Sequence, residues 1–214
     1  MTKMIFVRHG ESTGNINNVF YGHTDGGLTE LGRKQAESTA EYLKDYKIDA
    51  AYASDLIRAF ETAEIIAKPH KLKVIPDKNL REIYAGKWEN IAFSALPELY
   101  PNEYEIWKHD MWKVKLPEGE SIKEMAFRVR DEVWKIAEEN DGKTVLVVFH
   151  STPIRSLICE WKKMPYEKIS ELGWVKNASV SIVDYNIEAH TTDPEIIGYA
   201  DFQGGIPSEL PTSI

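Results

Sequence analysis

The stretch Met4-Ile5-Phe6-Val7-Arg8-His9-Gly10-Glu11-Ser12 decides the fold predicted for this chain. Four consecutive apolar residues are typical of a short strand that is buried on both faces of a parallel sheet. The run then stops at a cation, an imidazole and a glycine. Because open α/β sheets bind their ligands beyond the carboxyl ends of their strands, the stretch predicts a central strand that leads into a binding site.

The polar residues after this strand are suited to chemistry on a phosphate group. Arg8 carries a planar set of donors that fits a phosphate or a carboxylate, and Gly10 could allow a close backbone approach to a ligand or a positive φ. His9 could attack an electrophile through one ring nitrogen while a hydrogen bond holds the other. These residues suggest phosphoryl transfer. Arg-His-Gly is also common by chance, however, and a lone histidine at a strand end is often structural.

Composition limits the choice of partner. The chain has 214 residues, 43% of them hydrophobic, and is long enough for one large domain with a substantial core. Its formal net charge of -8 argues against nucleic acid or an anionic membrane as the main partner, because both favour a basic surface. Recognition of a phosphate would therefore need a local basic pocket.

Cysteine content and apolar runs indicate the cellular compartment. A single cysteine, Cys159, excludes an intramolecular disulfide. No apolar leader precedes the first strand, and no apolar run is long enough to span a membrane. These features predict a cytoplasmic protein.

A second buried strand also ends at a histidine. The run Thr144–Phe149 is β-branched and apolar, as expected of a central parallel strand, and His150 follows it directly. Pro153 is suited to the first turn of the next helix. His150 should therefore occupy the same topological position on its strand as His9 does on the first.

The remaining segments alternate between strand and helix patterns. They predict an α/β three-layer sandwich, with a mostly parallel central sheet flanked by helices, as one domain over residues 1–214. Turn-forming residues over 13–27 predict a loop above the site. The other predicted elements are a helix over about 30–46 capped by Thr29, a helix after Asp55, a helix from the capping box Ser121/Glu124 to Asp141-Gly142, and strands at about 49–53, 73–76, 179–185 and 195–200. The tail from Phe202 carries no prediction.

Arg58 falls in the first turn of the helix after Asp55. An arginine usually favours the other end of a helix, where it meets the negative end of the dipole. One interpretation is a surface arginine paired with Asp55 or Glu61. The other is a phosphate clamp beside a positive helix terminus, and the local pattern alone favours the surface interpretation.

The segment of about 89–116 is rich in aromatic residues at irregular spacing. We interpret it as a mainly helical lid inserted into the sandwich. The alternative is that most of these rings only contribute core area. The aromatic residues concerned are Phe93, Tyr100, Tyr104, Trp107 and Trp112.

A series of motifs resembles the histidine phosphatase superfamily, the phosphoglycerate-mutase-like proteins. The series runs in order from residue 4 to about residue 185, which is far more specific than any single motif. It comprises Arg8-His9-Gly10-Glu11-Ser12 with Asn15, Tyr21-Gly22 with Asp25, Leu28-Thr29-Glu30-x-Gly32-x-x-Gln35-Ala36, Ser54-Asp55-Leu56-x-Arg58-Ala59-x-x-Thr62-Ala63, Leu80-Arg81-Glu82, Gly86-x-Trp88-Glu89, Pro117-x-Gly119-Glu120-Ser121 and Val148-x-His150.

The resemblance implies a role for each motif residue. His9 would be the nucleophile that becomes phosphorylated, and Glu82 would protonate the leaving oxygen and then activate water. Arg8, Arg58 and a protonated His150 would surround the phosphoryl group without a metal or a cofactor. The substrate-binding residues that the resemblance implies are Arg8, Asn15, Tyr21, Gly22, Arg58, Glu82 and Ser151.

The chain departs from the family pattern at three places. Ser151 stands where glycine is usual after the second histidine, so a backbone approach to phosphate could be altered or supplemented by a hydroxyl. The usual Asp-x-Pro-Leu-Thr pattern reads Asp25-Gly26-Gly27-Leu28-Thr29 here, so Gly27 replaces the proline. The usual Trp-Glu-Gly reads Trp88-Glu89-Asn90, so Asn90 replaces the glycine. These differences affect the expected substrate preference and loop rigidity more than the core reaction.

Within the family, the resemblance favours a phosphatase that acts on a small phosphorylated substrate. The Glu-Arg-His-Tyr-Gly stretch of cofactor-dependent phosphoglycerate mutases corresponds here to Glu82-Ile83-Tyr84-Ala85-Gly86, so the mutase cations are missing. A mutase remains an alternative, as does a phosphate-dependent binding or regulatory module with weak turnover. The sequence also leaves a homo-oligomer open.

Overall fold

A computed structural model describes residues 1–199 as a six-stranded mixed sheet with helices on both faces. The strands lie in the order β3-β2-β4-β1-β5-β6, with β3, β2, β4 and β1 parallel and the last two pairings antiparallel. Their bounds are Thr2–Arg8 (β1), Ala50–Ser54 (β2), Val74–Asp77 (β3), Thr144–Phe149 (β4), Val180–Asn186 (β5) and Thr191–Tyr199 (β6). Ala200 and the tail from Phe202 lie outside the described residues.

The side chains of β1 alternate between two cores. Met4 and Phe6 pack with helices on one face, and Ile5 and Val7 pack with helices on the other. Each of these four side chains is fully buried. This alternation, which follows from the period of two along a strand, confirms the three-layer α/β sandwich.

Helices cover both faces. Helices α2 and α3 pack against the Ile5 side, and helices α6 and α7 against the Met4 side. The helix bounds are Thr13–Ile16 (α1), Glu30–Leu43 (α2), Ile57–Ala67 (α3), Leu96–Leu99 (α4), Pro101–His109 (α5), Ile122–Glu139 (α6) and Ser151–Trp161 (α7).

Both predicted helix caps are present. The Thr29 hydroxyl accepts a hydrogen bond from the Gly32 N–H at 2.9 Å. At α6, the Ser121 hydroxyl accepts from the Glu124 N–H at 3.2 Å while the Glu124 carboxylate accepts from the Ser121 N–H at 2.7 Å. The capping box therefore satisfies donors that the first turn would otherwise leave without partners.

Some predicted bounds were wrong. The segment 13–27, predicted as a loop, contains the short helix α1, because the Asn15 side chain caps the Ser12 N–H at 3.0 Å. Helix α2 ends at Leu43 and does not reach Tyr46.

The segment predicted as a lid is mainly helical. It holds α4 and α5 between two short 3₁₀ turns. Trp107 and Trp112 are buried in the main core, while Phe93, Tyr100 and Tyr104 are partly buried and pack against that core. The core interpretation therefore holds for the two tryptophans. No helix among the described residues is long and apolar enough to cross a membrane.

Candidate active site

The parallel pairing of β1 with β4 brings the two histidines together. Arg8 is in register with Phe149, so His9 and His150 leave neighbouring strands at the same edge of the sheet. Their ring centres are 5.2 Å apart and meet edge to face. This is the position at which open α/β sheets bind ligands.

A cavity of about 150 Å³ opens at this edge. Its wall includes every predicted site residue except His150, which is fully buried beside His9. The predicted residues on the wall are Arg8, His9, Asn15, Tyr21, Gly22, Arg58, Glu82 and Ser151.

Hydrogen bonding fixes the tautomer of His9. Its Nδ1 lies 2.7 Å from the carbonyl oxygen of Gly10. Because a carbonyl can only accept, Nδ1 carries the proton and Nε2 keeps its lone pair. Burial, followed by the charges of Arg58 and Arg8, holds the pKa of His9 well below its ordinary value. The ring is therefore neutral with a free lone pair, the form of imidazole that can act as a nucleophile.

His150 is held by the end of β2. Its Nε2 lies 2.8 Å from the hydroxyl oxygen of Ser54, and its Nδ1 is buried with no hydrogen-bond partner within residues 1–199. Burial and the nearby Arg58 hold the pKa of His150 well below the ordinary value. The protonated form that the resemblance implies thus requires an anion close to this ring.

Arg58 is buried on the wall of the cavity, so the interpretation as a surface arginine was wrong. Only 2% of its surface is exposed, and its terminal nitrogens donate to the carbonyls of Gly22 at 2.8 Å and Thr24 at 3.0 Å. Its guanidinium also lies 6.0 Å from the ring centre of Tyr21. The predicted surface pair with Asp55 or Glu61 is not formed: Asp55 pairs with Arg81 and Glu61 with Arg33.

Arg8 is equally enclosed. One terminal nitrogen donates to the carbonyl of Val175, while Nε is buried and has no partner in the described part of the chain. Burial lowers the pKa of Arg8 to about 10, so the side chain stays charged at neutral pH. An unpaired N–H on a buried cation costs free energy that an anionic ligand could recover.

The amide of Asn15 is oriented by its neighbours. Its oxygen accepts from the backbone N–H and the hydroxyl of Ser12, both at 3.0 Å, and from Asn177 Nδ2 at 3.3 Å. Since all these donors meet the oxygen, the amide nitrogen is directed elsewhere and can serve as a donor on the cavity wall. The sequence analysis missed Asn177, whose Nδ2 also donates to the carbonyl of His9 at 3.0 Å.

Glu82 is a half-buried carboxyl group on the cavity wall. One oxygen accepts from the Ile83 N–H at 2.9 Å and the other from the Thr152 N–H at 3.2 Å. Burial raises the pKa of Glu82, and these two N–H groups and Arg58 oppose that rise. A raised pKa is suited to a group that must give up a proton and later take one back.

Arg128 of helix α6 holds the segment that carries Glu82. Its guanidinium pairs with both carboxylate oxygens of Glu120, at 2.9 and 2.8 Å. It also donates to the backbone carbonyls of Asn79 at 2.8 Å, Arg81 at 3.1 Å and Glu82 at 3.2 Å. The sequence analysis did not single out this residue.

The other glutamates of the motifs have structural partners. Glu89 accepts from the N–H groups of His23 and Thr24 at 2.8 Å each, and so shapes the loop around Gly22. Glu11 accepts from the hydroxyl of Thr29 at 2.7 Å, and Glu120 pairs with Arg128 as described. The carboxylates of Glu89, Glu11 and Glu120 therefore already have hydrogen-bond partners within the protein.

Two glycines of the motifs serve packing. A Cβ at Gly10 would lie 2.3 Å from the carbonyl oxygen of Gly32, and Gly10 does not have a positive φ. The positive φ predicted for Gly10 was therefore wrong, and the glycine allows the chain after β1 to approach α2. Gly22 has φ +46°, and a Cβ there would meet Glu89 at 2.3 Å. It contributes to the site through the carbonyl that holds Arg58.

Ser151 begins helix α7 on the wall of the cavity. Its hydroxyl is buried and has no partner among the residues that the structure describes. Tyr21 lies on the same wall, with its hydroxyl 3.2 Å from that of Thr13. Within residues 1–199, no three His, Cys, Asp or Glu side chains are grouped so that they could hold a metal ion.

Comparison with known proteins gives consistent matches. The model of the histidine phosphatase superfamily (branch 1) matches residues 4–193. Phosphoglycerate mutase-like protein 4 of Arabidopsis thaliana is 37% identical over 158 residues, 72% of this chain and 69% of that protein. Phosphoserine phosphatase 1 of Hydrogenobacter thermophilus is 33% identical over 183 residues, 86% of each chain. The solved structure of Bacillus stearothermophilus YhfR has a TM-score of 0.90 at 26% identity, covering 95% of this chain and 100% of that one.

These matches agree with the order of the motifs in the sequence. The family model spans nearly the whole described chain, and the solved structure reproduces its architecture over the same length. The chain therefore belongs to the histidine phosphatase superfamily, branch 1, and its function is that of a phosphatase.

Proposed function

We propose that the protein hydrolyses monophosphate esters of small molecules through a phosphohistidine on His9. The observation that carries this proposal is the hydrogen bond from His9 Nδ1 to the Gly10 carbonyl, which leaves the Nε2 lone pair available. His9 lines the same cavity as Arg8 and Arg58. A neutral nucleophile beside fixed cations is suited to attack on phosphorus.

In the first step, His9 Nε2 forms a bond to phosphorus as the bond from phosphorus to the ester oxygen breaks. Glu82 in its protonated form, which the rise of its pKa on burial favours, gives its proton to that oxygen, so that a neutral alcohol leaves. Arg8, Arg58 and the Asn15 amide stabilise the charge on the remaining oxygens. The phosphate dianion also favours a proton on the nearby His150, which would then donate to it.

In the second step, the Glu82 carboxylate takes a proton from a water molecule. The water oxygen bonds to phosphorus while the bond from phosphorus to Nε2 breaks. Inorganic phosphate leaves, His9 returns to its neutral form, and Glu82 holds a proton again.

The charge needed for this reaction comes from the protein itself. Two guanidinium groups fixed in a buried site can stabilise the equatorial oxygens through charge-assisted hydrogen bonds. We therefore propose that turnover is independent of a divalent metal ion.

Two other functions share these residues. A phosphoglycerate mutase would need cations for the carboxylate of its substrate, but of the lysines and arginines within residues 1–199, only Arg8 and Arg58 lie on the cavity wall. A phosphate-binding module with weak turnover would bind phosphate without releasing it from an ester. A turnover assay separates that module from the proposed phosphatase.

The test is release of p-nitrophenolate and phosphate from p-nitrophenyl phosphate. His9→Gln should abolish turnover, because the amide of glutamine offers no nucleophilic nitrogen at this position. His109→Gln is the matched control, since His109 lies on α5 with 64% of its side chain exposed and should keep wild-type activity. Full activity in a correctly folded His9→Gln variant would reject the proposed nucleophile, and absence of turnover in the wild type would support the binding module.

A further inference from the structure

The cavity wall combines polar and apolar residues. Its polar part includes Arg8, His9, Arg58 and Glu82, where the phosphoryl group is proposed to react, together with Ser12, Asn15, Asn18, Ser151 and Thr152. Another part of the wall is apolar and aromatic. It is formed by Val19, Phe20, Phe93, Trp107 and Trp174, which we call the aromatic wall.

The rings of the aromatic wall support one another. Phe20 packs against Phe93 at 5.3 Å and against Trp107 at 5.2 Å between ring centres. Trp107 in turn lies nearly parallel to Trp174, with 6.3 Å between centres and 25° between planes. Trp107 is 1% exposed, whereas Phe93 and Trp174 are only partly buried and so present surface to a ligand. The wall is thus preorganised for a flat apolar group.

A third buried arginine stands behind this wall. The guanidinium carbon of Arg155 lies 4.4 Å from the ring centre of Trp174. One terminal nitrogen donates to the carbonyls of Ile169 and Leu172, at 2.7 Å each. Arg155 is 2% exposed and is not part of the cavity wall. It therefore holds Trp174 in place by a cation–π contact and cannot receive a substrate carboxylate.

We infer that the site prefers phosphate monoesters of uncharged aromatic alcohols over phosphorylated amino acids and hydroxy acids. This inference rests on the proposed function and concerns the alcohol part of the substrate. An aromatic alcohol would lie against Phe93 and Trp174 while its phosphate meets the two arginines. The carboxylate of phosphoserine would instead face apolar rings without a counter-ion, which is costly for a buried charge.

The preference can be measured with three esters of primary alcohols. Phosphate release is followed for benzyl phosphate, ethyl phosphate and O-phosphoserine, so that only the first offers a ring and only the last carries extra charges. We expect kcat/KM for benzyl phosphate to exceed both others by at least about tenfold, which equals about 1.4 kcal/mol. The ratio of kcat/KM for benzyl phosphate to that for ethyl phosphate reports the ring contact itself.

Two pairs of variants assign the preference to the aromatic wall. Phe93→Leu and Trp174→Leu should each lower the benzyl-to-ethyl ratio by about threefold or more, because a leucine side chain cannot make the ring-to-ring contact that an aromatic side chain makes. The matched controls are Phe127→Leu and Trp112→Leu, whose rings pack against Tyr166 and are not part of the cavity wall. These controls should keep the wild-type ratio.

The outcomes separate this inference from the proposed function. Turnover of all three esters at similar kcat/KM, or a preference for O-phosphoserine, would overturn the inference and leave the phosphatase proposal intact. Failure to release phosphate from any ester, including p-nitrophenyl phosphate, would instead reject the proposed function. An equal loss of the ratio in the control variants would show that the aromatic wall does not determine it.

Discussion

At the scale of single residues, the role proposed for Glu82 is to protonate the alcohol as it leaves. An alkyl alkoxide is strongly basic and must be protonated as it departs, whereas p-nitrophenolate can leave unaided. Glu82→Gln should therefore slow phosphorylation by alkyl phosphates by about 10² to 10⁴, and phosphorylation by p-nitrophenyl phosphate much less. The phenolate burst measures phosphorylation separately from hydrolysis of the intermediate.

The result for Glu82 has a clear control. Glu11 lies close to His9 in sequence, but its carboxylate accepts from Thr29, so Glu11→Gln should not change the response to the leaving group. Equal losses on both substrates in Glu82→Gln, or a selective loss in Glu11→Gln, would place the acid elsewhere.

The buried hydroxyl of Ser151 has no hydrogen-bond partner among residues 1–199. If that hydroxyl donates to the phosphoryl group, Ser151→Ala should lower kcat/KM by about two- to tenfold, since a neutral hydrogen bond contributes about 0.5 to 1.5 kcal/mol. The melting temperature should not fall, because no protein hydrogen bond is lost. Steady-state kinetics and thermal unfolding check both parts. A thousandfold loss of kcat/KM, or a rise in activity, would contradict a single neutral hydrogen bond from this hydroxyl to the phosphoryl group.

The site residues predicted from the sequence belong to short motifs, and for Arg58 and Glu82 the prediction depended on the resemblance of those motifs to the family. His9, Arg58 and Glu82 each stand in a short motif, and the structure brings them to one cavity. Asn177 and Arg128 could not be found in this way. Asn177 reaches His9 across 168 positions of the chain, and Arg128 reaches Glu82 across 46, so only the folded chain shows these contacts.

At the scale of elements, helix α6 positions the Glu82 segment through Arg128. Arg128→Lys keeps the charge but loses the forked geometry that joins Glu120 to three backbone carbonyls. We expect a loss of about tenfold in the phosphorylation rate on alkyl phosphates, as part of the general-acid contribution of about 10² to 10⁴. The loss on p-nitrophenyl phosphate should be smaller.

A neighbouring arginine on the same helix provides the comparison. Arg130 pairs with Asp131 at the surface, so Arg130→Lys should leave the ratio of the two substrates unchanged. A similar loss on both substrates in Arg128→Lys would indicate general destabilisation and would contradict a positioning role.

Element bounds were predicted less well than element order. Helix α1 was missed because turn-forming residues such as Gly14 and Asn15 favour loops, whereas here Asn15 caps the turn with its side chain. The start of α6 was predicted because its capping box lies within four consecutive residues.

At the scale of the whole molecule, the buried histidines should make stability depend on pH. The pKa values of His9 and His150 are lowered by burial and by nearby arginines, so the unfolded chain binds these protons more readily than the native protein. Stability is therefore full above the ordinary histidine pKa of 6.5 and falls as the pH drops below it. Each such histidine contributes a limiting slope of about 1.4 kcal/mol per pH unit.

Urea unfolding between pH 7.5 and 5.5 measures this slope. Inorganic phosphate should reduce it, because an anion in the site favours the charged form of His150 in the native protein. A free energy of unfolding that stays constant or rises over this interval would contradict the dominant contribution expected of two neutral, buried rings.

The overall architecture followed from a few strong patterns. Two buried apolar strands, each ending at a histidine, predicted central strands of a mostly parallel sheet, and the structure shows that β1 and β4 are parallel neighbours. The aromatic segment was harder to interpret, because irregularly spaced rings fit both a lid and a core. Trp107 belongs to the core and to the cavity wall at once, which the spacing alone could not indicate.

The central claim is that His9 becomes phosphorylated, and trapping that species tests it most directly. The enzyme is mixed with substrate in a chelating buffer, quenched within milliseconds in alkali, and digested for mass spectrometry. The account predicts one phosphate on His9 that is stable to base and labile to acid, with no requirement for a divalent ion. A phosphate on His150, Ser12 or Ser151, or one that forms only when a divalent ion is restored, would contradict it.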